Sequence, residues 1–178
     1  MSSQGSAIRE GVLQEVSGRE MIFGDLPNIE FRRARRSEAA AIKAFLTAAY
    51  SVYVPRIGRM PAVSANFAAA IRDHFIWVLL EDDRLLAVLH LVSRSDHLLI
   101  KDVAVHVDRQ RQGMGKKLLA FAEREALDRG YREIQLFTNE MMVENIALYQ
   151  SLGYREFWRK PYRGTDVVYM RKPLEIPS

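Results

Sequence analysis

The 178-residue sequence predicts an α/β fold of the α+β kind, on three observations. Residues 98–105 form an apolar run that gives way, through a basic glycine-bearing turn, to helical periodicity from Gly113, with Leu118, Leu119, Ala122 and Ala126 on one face. Residues 75–80 and 85–92 are apolar runs separated by Glu81, Asp82, Asp83 and Arg84, the pattern of an antiparallel hairpin. Residues 134–138 make another strand after the helix, and a helical crossover implies parallel pairing.

In chain order, residues 1–27 are polar, Ser/Gly-containing and weakly periodic, and read as a flexible N-terminal tail. The domain then runs over residues 28–173. Residues 29–32 alternate and open it as a strand. Ser37 is the expected N-cap of a first helix, whose stripe is Ile42, Phe45, Leu46 and Ala49 and whose end is near Tyr50. Residues 50–61 read as neither helix nor strand, because Pro55, Gly58 and Pro61 interrupt them. Ser64 is the expected cap of a second helix carrying Phe67 and Ile71. The hairpin follows, then residues 93–96 turn the chain into the central strand. The helix from Gly113 runs to about residue 129 with Gly130 at C′. Residues 143–152 form a short helix closed by Gly153, and residues 154–158 and 166–170 are the last strands.

Composition bounds the function. With 48% hydrophobic and 27% charged residues the chain is that of an ordinary globule. It contains no apolar run of 18 residues and no secretory signal pattern, so no membrane association is expected and the location reads as cytoplasmic. Without cysteine there is no disulfide or thiol nucleophile, and the four scattered histidines argue against a metal site. A net charge of +4 and a pI near 9.5 favour an anionic ligand. Nucleic acid fits poorly, since the basic residues are spread along the chain without a known binding motif.

The turn after the central strand carries the sharpest chemistry. A strand entering a helix through a tight turn aims free N–H groups and the positive helix end at one point, which suits phosphate. Two phosphate motifs fail here. GxGxxG needs a glycine where Leu118 stands, and GxxxxGK[ST] needs glycine at Gln110 and Ser or Thr at Lys117. What stands there is Gln110, Arg111, Gln112, Gly113, Met114 and Gly115, bordered by Lys116. A second constellation follows: Asn145 and Tyr149 lie four apart on one helix face, ahead of Leu152, Gly153 and Tyr154. The bland reading makes Tyr149 a core residue and Asn145 a helix-start residue.

Taken together, the two stretches resemble the signatures of the GNAT superfamily of N-acetyltransferases: (Gln/Arg)-x-x-Gly-x-(Gly/Ala) at residues 110–115, and N-x-x-A-x-x-L-Y-x-x-L-G-F/Y around Tyr149. In the second, Ala147, Tyr149 and Leu152 to Tyr154 match in register when Glu144 occupies the asparagine position, which leaves Asn145 one place late. The resemblance covers roughly residues 29–172. It implies a mixed, mostly antiparallel sheet with two splayed parallel strands and about four flanking helices. Acetyl-CoA is the implied co-substrate, lying in the gap with its pyrophosphate on the turn from Gln110 to Lys116 and its pantetheine arm along Val103, Ala104 and Val105, and with Asn145 nearby. No metal is implied.

The implied reaction is direct attack of a primary amine, from a small molecule or a peptide, on the thioester carbonyl. It needs a neutral amine, a polarised carbonyl and a donor for the departing sulfur. The backbone N–H of Val105 is the candidate for the carbonyl, and Tyr149 for the sulfur. His97 and Asp102 are the candidates for the base. His97 reads equally as a turn residue, and Asp102 as a structural partner or a pair with Lys101. Tyr50, Tyr53, Arg56 and Arg59 are expected to wall the acceptor, the arginines favouring an acidic group on it; a solvated loop is the alternative. The family also admits sheet-edge homodimers. The competing function is an acyl-CoA-binding regulatory module that has lost turnover.

Overall fold

The computed structural model describes residues 28–175, so the expected N-terminal tail lies outside the described residues. The sheet is a seven-stranded mixed one. Its strands are β1 (Ile29–Arg33), β2 (Phe75–Glu81), β3 (Arg84–Ser93), β4 (Leu98–Val105), β5 (Glu133–Asn139), β6 (Arg155–Tyr162) and β7 (Thr165–Pro173), in the order β1-β2-β3-β4-β5-β7-β6. The helices are α1 (Ala39–Ser51), α2 (Val54–Ile57), α3 (Phe67–Asp73), α4 (Met114–Asp128) and α5 (Val143–Ser151). The predicted α+β architecture is present, with α2 a single added turn.

Strand alternation sorts the core into two layers. Leu79, Leu89, Leu91, Leu98 and Ile100 pack on one face with Leu118, Leu119 and Phe121 of α4 and Tyr149 of α5. Ile76, Val78, Leu80, Val88 and Ala104 pack on the other with Ile42 and Leu46 of α1 and Phe67 and Ala70 of α3. Every strand pair is antiparallel except β4 with β5.

That parallel pair opens almost at once. Leu98, Leu99 and Ile100 pair with Ile134, Gln135 and Leu136, and there the ladder stops. Beyond it β5 remains paired to β7 and the end of β4 to β3. On β4 the register shifts so that Asp102 pairs with His90 and Ile100 with Leu91, leaving Lys101 as the bulged residue. A bulge bends its strand and raises the local twist, here at the point where β4 leaves β5.

Several local expectations are corrected. Ser37 caps nothing: it lies inside a 3-10 turn (Arg36–Glu38), where the backbone N–H of Arg35 donates to the Glu38 carboxylate at 2.7 Å. Ser64 is replaced as cap by Asn66, whose side chain accepts from the Ala69 N–H at 3.0 Å. Residues 50–61 are not irregular throughout, since α1 reaches Ser51 and α2 follows. Pro55 sits in the first turn of α2, where its missing N–H is harmless, and Gly58 ends that helix at φ 77°. Strands β6 and β7 both run longer than their apolar patterns, meeting at a turn of Arg163 and Gly164.

Candidate active site

The gap between β4 and β5 holds a cleft of about 410 Å³. Its floor is the unpaired edge of β4. The His106 N–H donates to the Leu86 carbonyl across the β3 side at 2.7 Å. Antiparallel alternation therefore turns the backbone groups of Ala104 toward β3 as well, and those of Val103 and Val105 into the cleft. The Gln110 side-chain amide donates to the Val105 carbonyl at 3.0 Å, consistent with that direction, while the Val103 and Val105 N–H groups face open space.

At one end of the cleft lies the basic turn. Arg111 and Gly113 both adopt left-handed backbone, φ 60° and 79°, and such alternation curls successive N–H groups around a concavity suited to an anion. Gly113 is the N-cap of α4, so the N–H groups of the first helical turn also point there without helical partners. A side chain at Gly115 would meet no atom within 4 Å, so that position borders open space. Of the eleven residues expected around a coenzyme, Val103, Ala104, Val105, Gln110, Arg111, Gly113, Met114, Gly115, Lys116 and Asn145 line this cleft. Gln112 does not; its amide turns back to the Asp108 carbonyl at 3.3 Å. The donor set and the open backbone edge fit a phosphate-bearing ligand with an extended amide arm.

A second cavity of about 140 Å³ adjoins the first, lined among others by Ile57, Arg59, Pro61, Lys101, Asp102, Phe137, Asn139 and Tyr162. Both cavities share Tyr50, Val103, Asn145 and Tyr149 in their walls. Tyr50 comes from the α1 side of the sheet and Tyr149 from the α5 side, so the splay opens a passage between the two faces and the two phenols meet in it. Tyr149 is 7% exposed. Burial, and then the neighbouring Tyr53, push its hydroxyl well above the usual phenol range, so it keeps its proton and serves as a donor. Burial likewise raises Tyr53, which stands beside the Asn145 amide.

Asp102 is not paired with Lys101. Its Oδ1 accepts from the Tyr50 hydroxyl at 3.1 Å, and its Oδ2 lies 2.9 Å from His90 Nδ1. Burial first, and then the Asp102 charge, drive the Tyr50 hydroxyl far above its ordinary range. His97, the other expected base, is elsewhere. It stands before Leu98, bonded to the exposed Asp96 at 2.7 Å, and lines neither cavity. Six steps along the chain separate it from Val103, about 20 Å at the usual rise of a strand. Of the two readings of His97, catalytic base and turn residue, its position favours the turn residue.

The acceptor wall is also partly redrawn. Tyr50 lines both cavities, whereas Tyr53 lines the larger cleft alone. Arg56 lines neither cavity; its guanidinium forms a two-pronged pair with Glu144 at 2.7 and 2.8 Å, fastening α2 to α5. Arg59 borders the second cavity, yet donates to the Tyr162 carbonyl at 2.8 Å and to Thr165 Oγ1 at 3.2 Å. Both arginines brace the wall through intramolecular partners. Sequence reasoning missed His90, the buried partner of Asp102. The available signal was a single histidine inside the apolar run of residues 85–92.

Comparison with known proteins follows this geometry. A family profile described as an acetyltransferase (GNAT) domain matches residues 72–156. The ribosomal protein bS18-alanine N-acetyltransferase of Salmonella typhimurium is 32% identical over 101 residues, which cover 53% of this chain and 68% of that protein. The Escherichia coli K12 enzyme of the same name is 33% identical over 87 residues, 46% of this chain and 59% of that protein. A Xenopus tropicalis relative is covered over 43% of its length, so the matched stretch spans about half of several relatives. The crystal structure of the Escherichia coli ribosomal-protein-S18-alanine N-acetyltransferase superposes with a TM-score of 0.69 at 22% identity, over 84% of this chain and 96% of that one. A GNAT family acetyltransferase from Elizabethkingia anophelis with acetyl-CoA bound gives 0.62 at 17% identity, over 84% and 100%. The chain belongs to the GNAT acetyltransferase superfamily. No helix among the described residues is long and apolar enough to cross a membrane.

Proposed function

We propose that residues 28–173 form an N-acetyltransferase domain that moves an acetyl group from acetyl-CoA to a primary amine. The observation carrying this reading is the junction at Tyr149, where a cleft with an open β edge and an N–H-rich turn meets a second cavity holding a carboxylate.

Each residue then has a task. The turn from Gln110 to Lys116 holds the pyrophosphate through backbone N–H groups, with Arg111 and Lys116 adding charge. Val103 and Val105 receive the amide arm as an added strand, and the Val105 N–H polarises the thioester carbonyl. Asp102, at the wall of the second cavity, takes the proton of the incoming amine. Tyr149 donates a hydrogen bond to the departing sulfur. A thiol near pKa 8.5 and a free phenol near 10 already make full transfer from tyrosine uphill by about 2 kcal/mol, and burial widens that gap. Tyr149 therefore stabilises the thiolate without surrendering its proton.

A cavity of about 140 Å³ is well below the roughly 300–1,000 Å³ that encloses a whole small ligand. It suits an amine on a short substituent, with the rest of the acceptor outside. A peptide α-amine following a small N-terminal side chain meets that description, and the relatives named for modifying an alanine of ribosomal protein bS18 are of that type. The test is to mix the protein, acetyl-CoA and a peptide beginning with alanine, alongside a panel of small amines. Free CoA and an acetylated amine should appear in equal amounts. Tight acetyl-CoA binding with no turnover on any acceptor would mark a regulatory module instead.

A further inference from the structure

We infer that His90, fixed by His74, is a positioning residue that holds the Asp102 carboxylate in the orientation that receives the acceptor's proton. This rests on Asp102 being the base of the proposed reaction.

Four elements are linked by one row of hydrogen bonds, from His74 at the end of α3 through β3 and β4 to Tyr50 of α1. Asp102 on β4 lies opposite His90 on β3, and His90 lies opposite Ile76 on β2, so His90 and Asp102 share the sheet face under α1 and α3. His90 Nε2 is 2.9 Å from Nδ1 of His74, the residue that ends α3. Its Nδ1 is 2.9 Å from Asp102 Oδ2. His90 is fully buried and Asp102 is 5% exposed, and with Thr138 they are the buried polar residues among those described. Around them that layer is apolar, with the Phe67 ring 6.0 Å from His90.

Donor and acceptor roles follow from the chain of contacts. An ionised carboxylate only accepts, so Tyr50 Oη and His90 Nδ1 both donate to Asp102. With its proton on Nδ1, His90 offers the Nε2 lone pair, and His74 Nδ1 must then be the donor to it. Each imidazole thus fixes the tautomer of the next, and His74, partly buried just before β2, closes the row. Burial chiefly holds His74 below the ordinary histidine range. The groups facing this row are Tyr50 from α1, Asp73 from α3, Arg94 after β3, Lys101 from β4 and Tyr149 from α5. The Arg33 guanidinium from β1 also donates to the His74 carbonyl at 2.8 Å.

A purely structural role is poorly served by this arrangement, because a buried ionic network is often no more stable than apolar residues of the same size. What it supplies is a carboxylate held in one orientation at the wall of a small cavity. The row ends at Tyr50, which lines both cavities.

Two measurements test the inference independently of each other. Long-range nitrogen–proton NMR on the free protein should show His90 and His74 each with the proton on Nδ1; His90 protonated on Nε2 alone overturns the inference. In His74→Ala the protein should fold normally, since His74 is only partly buried, and the His90 Nε2 signal should shift as it loses its donor while Nδ1 keeps its proton; an unchanged Nε2 signal overturns it. The second measurement uses acetyl-CoA and the alanine peptide with His90→Leu and His90→Asn. Leucine should lower kcat by roughly 10–100-fold with acetyl-CoA affinity intact. The acid limb of its kcat profile should move to higher pH, because the carboxylate has lost a donor. Asparagine, whose side-chain N–H can replace the missing donor, should restore much of both. Equal kcat and equal acid limbs in the two variants would overturn the inference. Absence of CoA release by the parent protein would instead defeat the acetyltransferase reading and leave the NMR result to decide the tautomers.

Discussion

Tyr149 is the residue on which the two cavities converge, and its hydroxyl can be removed with little else disturbed. In Tyr149→Phe the ring still packs beside Tyr154, 6.1 Å away between centroids. Kcat should fall by roughly 10–1,000-fold while acetyl-CoA binding holds; steady-state kinetics and calorimetry check the two halves. A second residue-scale prediction concerns pH. Glu38 receives two hydrogen bonds from Arg32, at 2.7 and 3.0 Å, and these chiefly pull its carboxyl below the usual carboxylate range. A depressed folded value contributes stability above the unfolded pKa, about 4.3, and that contribution is lost as pH falls through the lower folded one. Glu38→Gln should therefore destabilise the parent by roughly 1–2 kcal/mol at pH 7. The gap between the two proteins should narrow as pH falls below the unfolded carboxylate value, as measured by urea melts.

Elements, in turn, put these residues in place. The basic turn works through backbone N–H groups, so the effective way to damage it is to alter a backbone or block the concavity. Gly113→Asp does both, since φ 79° is unfavourable for a side chain and the carboxylate would repel a pyrophosphate. Acetyl-CoA affinity should drop by about tenfold or more, equivalent to at least about 1.4 kcal/mol; a calorimetric titration reads it directly. Asn66→Ala removes the cap of α3 and should cost about 1 kcal/mol in thermal or urea melts. These elements were unequally legible. Strands β2, β3 and β4 and helix α4 could be read because their apolar periods are strong and their ends carry turn residues. Residues 50–61 could not, because Pro55 and Gly58 look like breakers when they bound a short helix. Nor could the length of β6, which is exposed along all of its residues and so carries no burial period.

Across the whole molecule, function depends on a sheet that opens in one place. Its two apolar layers hold α1 and α5 on opposite faces, and the β4/β5 splay lets Tyr50 and Tyr149 reach each other through the sheet. Leu46→Ala, at a site with no exposure, should lower stability by about 2–5 kcal/mol and loosen the helix that carries Tyr50. Ten of the residues that line the larger cleft could be picked out because backbone chemistry leaves a local pattern of glycine and basic residues. Asp102 was named as a candidate, but its partners were not legible, because the row from His74 to Tyr50 is made by cross-strand register and by helices packed on the sheet, and no spacing in the chain encodes it. Arg56 and Arg59 misled for the same reason, their partners Glu144 and Tyr162 being distant in sequence.

The central claim is that the cleft and the adjoining cavity form one reaction path from acetyl-CoA to an amine. The most direct measurement follows free thiol and acetylated peptide together, with acetyl-CoA and the alanine peptide, in the parent protein, Gly113→Asp and Tyr149→Phe. Equal yields of thiol and acetyl-peptide are predicted in the parent. Gly113→Asp should recover its rate at high acetyl-CoA, and Tyr149→Phe should stay slow at every concentration. Thiol release without acetyl-peptide across the whole amine panel, or a Tyr149→Phe rate within twofold of the parent, would contradict the claim.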